Sequence, residues 1–170
     1  MIRVDEVEND SYLVMVTRNG TIKRTALSAY RNVRKGGIIA INLEEGDELA
    51  WVRNTTGEDD LIIATRQGVA IRFAESDVRP MGRTATGVRA IRLYEGDAVI
   101  AMATCEEGGY LLTVTENGQG RRTALGEYRT QNRGGRGVRN YDCEGKGTLV
   151  AGVRVVGEED DVILIADDGI

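Results

Sequence analysis

The chain has 170 residues, of which 41% are hydrophobic and 29% charged, and its formal net charge is −5. The hydrophobic fraction is too high for a disordered chain, and the length suits one folded domain or a piece of one. The sequence contains no histidine, which excludes Ser-His and Cys-His catalysis. Cys105 and Cys143 lack metal-ligand spacing, so we expect reduced thiols and no metal site. No apolar run is long enough to cross a membrane and the first residues lack a secretory signal, so we expect a cytoplasmic protein.

A hairpin pattern recurs along the chain. Residues 12–27 read YLVMVTRNGTIKRTAL, residues 60–75 read DLIIATRQGVAIRFAE, residues 110–125 read YLLTVTENGQGRRTAL, and residues 161–170 read DVILIADDGI. In each copy a run rich in β-branched residues leads into a turn that contains glycine, as in a β-hairpin. The turn glycines Gly20, Gly68, Gly118 and Gly169 are 48, 50 and 51 residues apart, which is typical of propeller blades.

Each hairpin continues through a basic, glycine-containing stretch into two further short strands. The first is predicted at 38–49, 88–99 and 138–150, the second at 50–55, 100–105 and 151–156, and no helix is predicted. We therefore predict an all-β fold of the β-propeller or β-pinwheel type, a partial ring of four-stranded antiparallel blades. Residues 1–170 would form a single partial domain, with repeats at about 12–59, 60–109 and 110–160 and a truncated fourth repeat at 161–170.

Basic and acidic residues are segregated within each repeat. The stretches 12–43, 61–93 and 110–141 hold 18 of the 22 lysines and arginines but only 4 of the 27 acidic residues. Because equivalent positions of a repeat fall at equivalent places around the stack, we expect a recurring basic stripe suited to a phosphate backbone. An alternative stays open, in which the segregated charges pair between neighbouring blades.

Several long segments resemble one protein family. Residues 69–78 read VAIRFAESDV and residues 79–93 read RPMGRTATGVRAIRL, residues 19–32 read NGTIKRTALSAYRN, residues 117–130 read NGQGRRTALGEYRT, and EGD turns occur at 45–47 and 95–97. Over essentially the whole chain they resemble the DNA-wrapping C-terminal domain of the A subunit of bacterial DNA gyrase. The resemblance implies a β-pinwheel of about six strand-exchanging blades, of which this chain supplies about half, with duplex DNA wrapped around a basic outer rim.

A glycine-rich basic segment is the hallmark of this family, normally in the first blade, with the pattern Gln-basic-basic-Gly-Gly-basic-Gly. The segment that comes near it here lies in surroundings that resemble a later blade and consists of Gln131, Asn132, Arg133, Gly134, Gly135, Arg136 and Gly137. We interpret it as a degenerate box, in which glycines let backbone N–H groups approach phosphate while arginines reach it. The alternative is a plain surface turn.

The candidate DNA-binding residues are cations that recur after each hairpin turn, ahead of the following loop and within it. They are Lys23, Arg24, Arg31, Arg34, Lys35, Arg72, Arg79, Arg83, Arg89, Arg121, Arg122, Arg129, Arg133 and Arg136. Contacts to the phosphate backbone, without base reading, predict salt-sensitive binding. Charge reversal at Arg24, Arg72 and Arg122 together is expected to weaken duplex binding without unfolding the domain.

The resemblance implies that the partners are double-stranded DNA, the gyrase B subunit, and the rest of the gyrase A subunit, with no membrane and a bacterial, nucleoid-associated location. The parent would be an ATP-dependent type II topoisomerase that introduces negative supercoils. ATP and Mg²⁺ would act elsewhere in the holoenzyme, so we expect no cofactor and no catalytic residue here. Open blade edges favour self-association. The alternatives are the equivalent domain of the topoisomerase IV A subunit, or a protein-interaction propeller.

Overall fold

The computed structural model describes residues 11–30, 43, 45–82, 84–105 and 109–157, and only the backbone of residues 29 and 30. The described residues contain strands β1 Tyr12–Thr17, β2 Thr21–Ala26, β3 Leu49–Thr55, β4 Asp60–Thr65, β5 Val69–Ala74, β6 Val88–Arg89, β7 Val99–Thr104, β8 Tyr110–Thr115, β9 Gly120–Ala124, β10 Val138–Arg139 and β11 Val150–Val156, and one helical turn, α1 Cys143–Lys146. Short 3₁₀ turns follow β2, β5 and β9 at Leu27–Tyr30, Glu75–Asp77 and Leu125–Glu127.

The strands form three antiparallel sheets, one for each described repeat. Their orders are β3-β1-β2-β6, β7-β4-β5-β10 and β11-β8-β9. Strand β3 packs against β7 and β7 packs against β11, so the inner edges of successive sheets are neighbours. These sheets confirm the prediction of an all-β fold with antiparallel four-stranded blades, although the third sheet has three strands within the described part of the chain.

A threonine before each turn stabilises the hairpin. The Oγ1 atoms of Thr17, Thr65 and Thr115 accept hydrogen bonds from the N–H groups of residues 21, 69 and 119, each at 3.1 Å. The backbone carbonyls of the same threonines accept from the turn glycines at 3.0 to 3.2 Å. Buried polar groups at the turn are thereby paired within the hairpin itself, which explains why the Thr-x-x-Gly spacing recurs.

The outermost strand of each of the first two sheets comes from the following repeat. Strand β6 pairs with β2 through Thr21 opposite Arg89, and β10 pairs with β5 through Val69 opposite Arg139. This exchange corrects the predicted third strands at 88–99 and 138–150. Within those ranges only residues 88–89 and 138–139 form outer strands, which belong to the preceding sheet, while Val99 and Val150 begin β7 and β11. Of the stretch predicted at 38–49, residues 38–42 lie outside the described residues.

The prediction that the chain has no helix is wrong for one turn. Residues 143–146 form α1, which is capped by Asp142, whose Oδ1 accepts from the N–H of Gly145 at 3.0 Å. The turn closes on Gly147 in the left-handed conformation. A single four-residue turn carries no amphipathic period, so sequence patterning gives no signal for it.

The core lies between successive sheets. Residues 61–64 are continuously apolar and fully buried, as predicted for a strand covered on both faces. One buried cluster joins the first and second sheets around Val14, Ile63 and Phe73, and another joins the second and third around Ile62 and Leu111. The repeats are therefore held together by shared apolar surface as well as by the exchanged strands.

Glycine is required where the exchanged strands meet the preceding sheet. Gly87 and Gly137 have φ of +107° and +78°, and a Cβ atom on them would lie 2.5 Å from the Ile22 carbonyl oxygen and 2.4 Å from the Ala70 carbonyl oxygen. A side chain at either position would strain the backbone and push β6 or β10 away from its partner strand.

We expect Gly137→Ala to destabilise the protein by at least about 2 kcal/mol, because both the positive φ and the contact with Ala70 disfavour a side chain. Gly126→Ala is the matched control, since a Cβ there meets no atom within 4 Å. Urea unfolding of both variants measures the difference. Equal free energies of unfolding for the two variants would contradict this account of the exchanged strand.

Candidate nucleic-acid interface

Arginines recur on the outer edge of the sheets. Arg89 on β6 and Arg139 on β10 occupy equivalent positions 50 residues apart and both are exposed. Arg79 and Arg129, another equivalent pair, are exposed ahead of the loops that lead to β6 and β10. Since β3, β7 and β11 form the inner edges, these four cations lie on the side of the sheets farthest from them. We call Arg79, Arg89, Arg129 and Arg139 the outer-edge arginines.

Two further exposed arginines lie close to this set. Arg92 follows β6, and its N–H donates to the Gly135 carbonyl at 2.7 Å. Arg136 is exposed, and its guanidinium lies 4.3 Å from the centroid of the exposed Tyr94 ring. The loops of the second and third repeats are therefore in contact and bring Arg92 and Arg136 to the same region.

Arg24 does not belong to any exposed surface. Its residue is 6% exposed, its Nε donates to the Val78 carbonyl at 2.7 Å, and its Nη1 lies 3.4 Å from Oε1 of Glu75, which is fully buried. The guanidinium also stacks on the Tyr12 ring at 4.6 Å. The prediction that Arg24 contacts phosphate is therefore wrong for this structure, because its donors are committed to the joint between the first and second repeats.

Lys23 is also buried, with no exposed surface, on strand β2. Desolvation lowers the pKa of its ammonium from 10.5 to about 8. A cation that binds phosphate needs access to solvent, so the prediction of Lys23 as a DNA contact is corrected as well. The sequence pattern does not distinguish the two faces of β2 for these neighbouring cations.

Arg72 and Arg122 occupy the positions equivalent to Arg24 in the next two repeats. Arg72 is half-buried, with Nε 3.0 Å from Oδ2 of Asp60 and Nη1 donating to the Leu125 carbonyl of the third repeat at 2.8 Å. Arg122 on β9 is exposed and stacks on Tyr110 at 4.3 Å. Of the three arginines chosen for charge reversal, Arg24 is buried and Arg72 binds both a carboxylate and a carbonyl. Reversal would therefore disturb the joints between repeats, which corrects the expectation that folding is unaffected.

The remaining predicted residues divide into three groups. Arg79, Arg89, Arg121, Arg129 and Arg136 are exposed. Arg133 is half-buried and donates to two backbone carbonyls of the second repeat. Four predicted contacts lie outside the described residues, namely Arg31, Arg34, Lys35 and Arg83.

Within the degenerate box, backbone groups bind protein. The N–H of Gly134, whose φ is +84°, donates to the Ala90 carbonyl at 2.7 Å. Gly137 packs on the Ala70 carbonyl, Gln131 donates its N–H to the Arg72 carbonyl, and Asn132 is exposed. At the described contacts these glycines let the backbones of neighbouring repeats approach each other. The N–H of Gly134 is bonded to protein, whereas the sequence suggested that it approaches phosphate.

Charge pairing between repeats, the alternative left open from the sequence, occurs at the hairpin turns. Arg66 of the second repeat lies 2.9 Å from Glu116 of the third, whereas Arg18 lies 2.8 Å from Glu48 of its own repeat. These side chains are about half exposed, so each pair contributes at most about 1 kcal/mol. Positive charge at the turns is nevertheless locally neutralised by these pairs.

Arg92 and Arg139 are the cations that the predicted site set omitted. The signal for Arg139 was present in the sequence, because it lies 50 residues after Arg89 and so repeats a position already chosen, whereas the position equivalent to Arg92 in the third repeat is Asp142. Among the described residues no group of three or more His, Cys, Asp or Glu is arranged to hold a metal ion. Burial raises the pKa of Cys105 to about 11, which disfavours a reactive thiolate. The described residues also contain no helix long and apolar enough to cross a membrane.

Exchanged outer strands on successive four-stranded sheets define a repeat protein of the propeller class. The family model described as DNA gyrase C-terminal domain, beta-propeller, matches residues 11–56, 59–106 and 109–156. The chain belongs to this family, which confirms the resemblance found in the sequence.

Individual relatives agree with the family. The DNA gyrase A subunit of Staphylococcus epidermidis is 45% identical to this chain over its whole length, and the chain spans 19% of that relative. A solved C-terminal domain of DNA topoisomerase IV matches with a TM-score of 0.85 and 29% identity, covering 92% of this chain and 50% of that one. A solved DNA gyrase A C-terminal domain matches with a TM-score of 0.79 and 28% identity, covering 91% and 52%.

A titration tests the burial of Lys23. Below pH 8 the Lys23 ammonium stays charged in the folded state, and its burial lowers the free energy of unfolding. Between pH 8 and 10.5 Lys23 is neutral in the folded state and charged in the unfolded state, so the free energy of unfolding rises with pH as this burial penalty is lost. We expect Lys23→Met to be more stable than the wild type by up to about 3 kcal/mol at pH 7, and the difference to vanish above pH 10.5. Urea unfolding at several pH values measures the difference. A stability difference between Lys23→Met and the wild type that does not depend on pH, or a reduced DNA affinity of Lys23→Met, would contradict the burial of Lys23.

The Arg24–Glu75 contact predicts that substitutions at these two positions have non-additive effects on the free energy of unfolding. Arg24→Met leaves the Glu75 carboxylate buried without its cation and should cost about 3 to 5 kcal/mol of stability. Glu75→Leu introduces the residue found at the equivalent positions Leu27 and Leu125. The double variant should lose clearly less stability than the sum of the two single variants, as measured by urea unfolding. Strict additivity would show that the two side chains do not interact.

Proposed function

We propose that this chain binds and bends duplex DNA without reading its sequence, as the accessory wrapping domain of a gyrase A subunit. The observation that carries the proposal is the repetition of exposed arginines on the outermost strands, Arg89 and Arg139, with Arg79 and Arg129 ahead of them. Family membership supports the same conclusion.

The physical argument begins from the charge of DNA. Each phosphate neutralised by a cation releases counterions, so affinity grows with the number of contacts and falls steeply with salt. A rigid series of cations that does not follow a straight line gains contacts when the duplex bends towards it. Arginine suits this role because its planar fork matches two phosphate oxygens.

The net charge of −5 does not oppose this proposal, because the acids concentrate elsewhere. Glu48, Glu58, Glu95 and Glu116 are exposed near the hairpin turns or on the connections between repeats. Asp77 and Glu127 are exceptions, since they are exposed at the start of the two basic loops. They reduce the local positive potential beside Arg79 and Arg129.

The wider assignment rests on the relatives. In a gyrase this domain would act with the B subunit, and with the rest of the A subunit, in an ATP-dependent type II topoisomerase that introduces negative supercoils into the bacterial chromosome in the cytoplasm. ATP and Mg²⁺ would be used outside this chain. The rim, the wrapping and these partners are proposals for a chain that spans about a fifth of the curated relative it matches.

A topoisomerase IV domain is the second candidate, favoured by one observation. The solved topoisomerase IV domain has the higher TM-score of the two solved domains, 0.85 against 0.79. The identities of the two are nearly equal, whereas the curated gyrase relative is 45% identical. We therefore prefer gyrase.

Matched quadruple variants test the proposal. Replacing the outer-edge arginines Arg79, Arg89, Arg129 and Arg139 with glutamine should weaken duplex binding at least about a hundredfold and flatten the slope of log affinity against log salt by about 3 to 4. The measurement is a fluorescence anisotropy titration of a labelled duplex at several salt concentrations.

The control changes the net charge by the same amount elsewhere. Arg18, Arg53, Arg66 and Arg154 are exposed at hairpin turns or on the inner strands β3 and β11. Their replacement with glutamine should leave the affinity within a few-fold of the wild type. If the two quadruple variants lost the same affinity, the effect would come from net charge and not from the position of the arginines. If the wild type did not bind duplex DNA at low salt, a protein-interaction propeller would be favoured.

A further inference from the structure

The side chain of Arg133 joins both ends of a loop in the neighbouring repeat. Its Nε donates to the Asp77 carbonyl at 3.0 Å and its Nη1 donates to the Arg89 carbonyl at 3.0 Å. Asp77 ends the 3₁₀ turn after β5, and Arg89 ends β6. One guanidinium from the third repeat therefore fastens the start and the end of the loop at 77–89 in the second repeat.

Two backbone hydrogen bonds extend this contact. The N–H of Gly134 donates to the Ala90 carbonyl and the N–H of Arg92 donates to the Gly135 carbonyl, both at 2.7 Å. Next to them, the exposed Arg136 stacks on Tyr94, which is 48% exposed. The contact therefore lies among four exposed cations of two different repeats, Arg79, Arg89, Arg92 and Arg136.

We propose that residues 133–135 form a clasp in which Arg133 is a positioning residue and not a phosphate ligand. The clasp fixes Asp77 and Arg89 of the second repeat against the third repeat, so that Arg79, Arg89, Arg92 and Arg136 meet DNA as one ordered group. Two of the five N–H donors of Arg133, on Nε and Nη1, are directed to these carbonyl oxygens. The proposal rests on the DNA-binding function proposed above and assigns the glycine-rich segment a role within it.

Charge and geometry make different demands at this position. A phosphate ligand needs a positive charge, which lysine also supplies, whereas bridging two carbonyls in fixed directions needs the planar fork of arginine. Ordering the cations before DNA arrives removes part of the entropy that binding would otherwise cost. Loss of the clasp should therefore reduce affinity without changing the number of phosphates neutralised.

The test compares Arg133→Lys with Arg133→Gln in duplex binding at several salt concentrations. We expect both variants to bind roughly five- to tenfold more weakly than the wild type, with the salt slope unchanged, because neither can bridge Asp77 and Arg89. Arg154→Lys, on the inner strand β11, is the control and should match the wild type. If Arg133→Lys binds as tightly as the wild type, or if Arg133→Gln flattens the salt slope by about 0.9, Arg133 is a phosphate ligand and the clasp proposal is refuted.

A second readout needs no DNA. Amide hydrogen exchange at Arg92 and Gly134, followed by NMR, should be at least about tenfold faster in both Arg133 variants, because the hydrogen bonds of the clasp open more often. Unchanged exchange would overturn the clasp even if binding fell. Faster exchange in a protein that does not bind duplex DNA at low salt would show that the clasp exists, that the DNA-binding function is wrong, and that Arg133 positions nothing for DNA.

Discussion

The pairing of each outermost strand with the preceding repeat is the contact on which the arrangement of this protein depends. Where the chain leaves the exchanged strands, the carbonyls of the turn glycines Gly20 and Gly68 accept hydrogen bonds from the N–H groups of Ala90 and Asn140, both at 2.7 Å. Because these bonds recur with the repeat, the arginines carried by β6 and β10 inherit the same spacing and the same outer location. The equivalent placement of Arg89 and Arg139 is thus a consequence of backbone pairing and needs no pairing of the arginines themselves.

The hairpins and their period could be predicted from the sequence, because turn glycines and β-branched runs act locally. The origin of the outer strand could not be predicted from the strand pattern, although the family resemblance implied that blades exchange strands. Strands of two residues, such as β6, carry no alternation, and their partner lies more than 60 residues away, so only the folded chain reveals which sheet they complete. The repeat bounds near 59, 109 and 160 stay a prediction, since a sheet that borrows a strand has no single boundary along the chain.

The candidate site was predicted less well than the fold, and Arg24 shows the physical reason. A guanidinium after a hairpin turn can serve a phosphate or a neighbouring repeat equally well, and its sequence position is the same in both cases. The clue lay in its surroundings: Glu75 stands where the other repeats have Leu27 and Leu125, a charge in an apolar position that calls for a buried partner. Likewise, Tyr12, Asp60 and Tyr110 occupy one repeated position and each contacts the arginine of its own hairpin.

Burial therefore limits how many of the predicted and described cations can reach phosphate. Ten of the fourteen predicted cations are described, and six of these are exposed, Arg79, Arg89, Arg121, Arg122, Arg129 and Arg136. At a contribution of about 0.9 to the salt slope for each contact, the six support a slope near 5, where all ten would give about 9. The other four described candidates work inside the protein: Lys23 and Arg24 are buried in the first repeat, and Arg72 and Arg133 hold carbonyls of a neighbouring repeat. In the proposed DNA-binding function, these internal residues would keep the exposed cations in a fixed relative order and so aid recognition without contacting DNA.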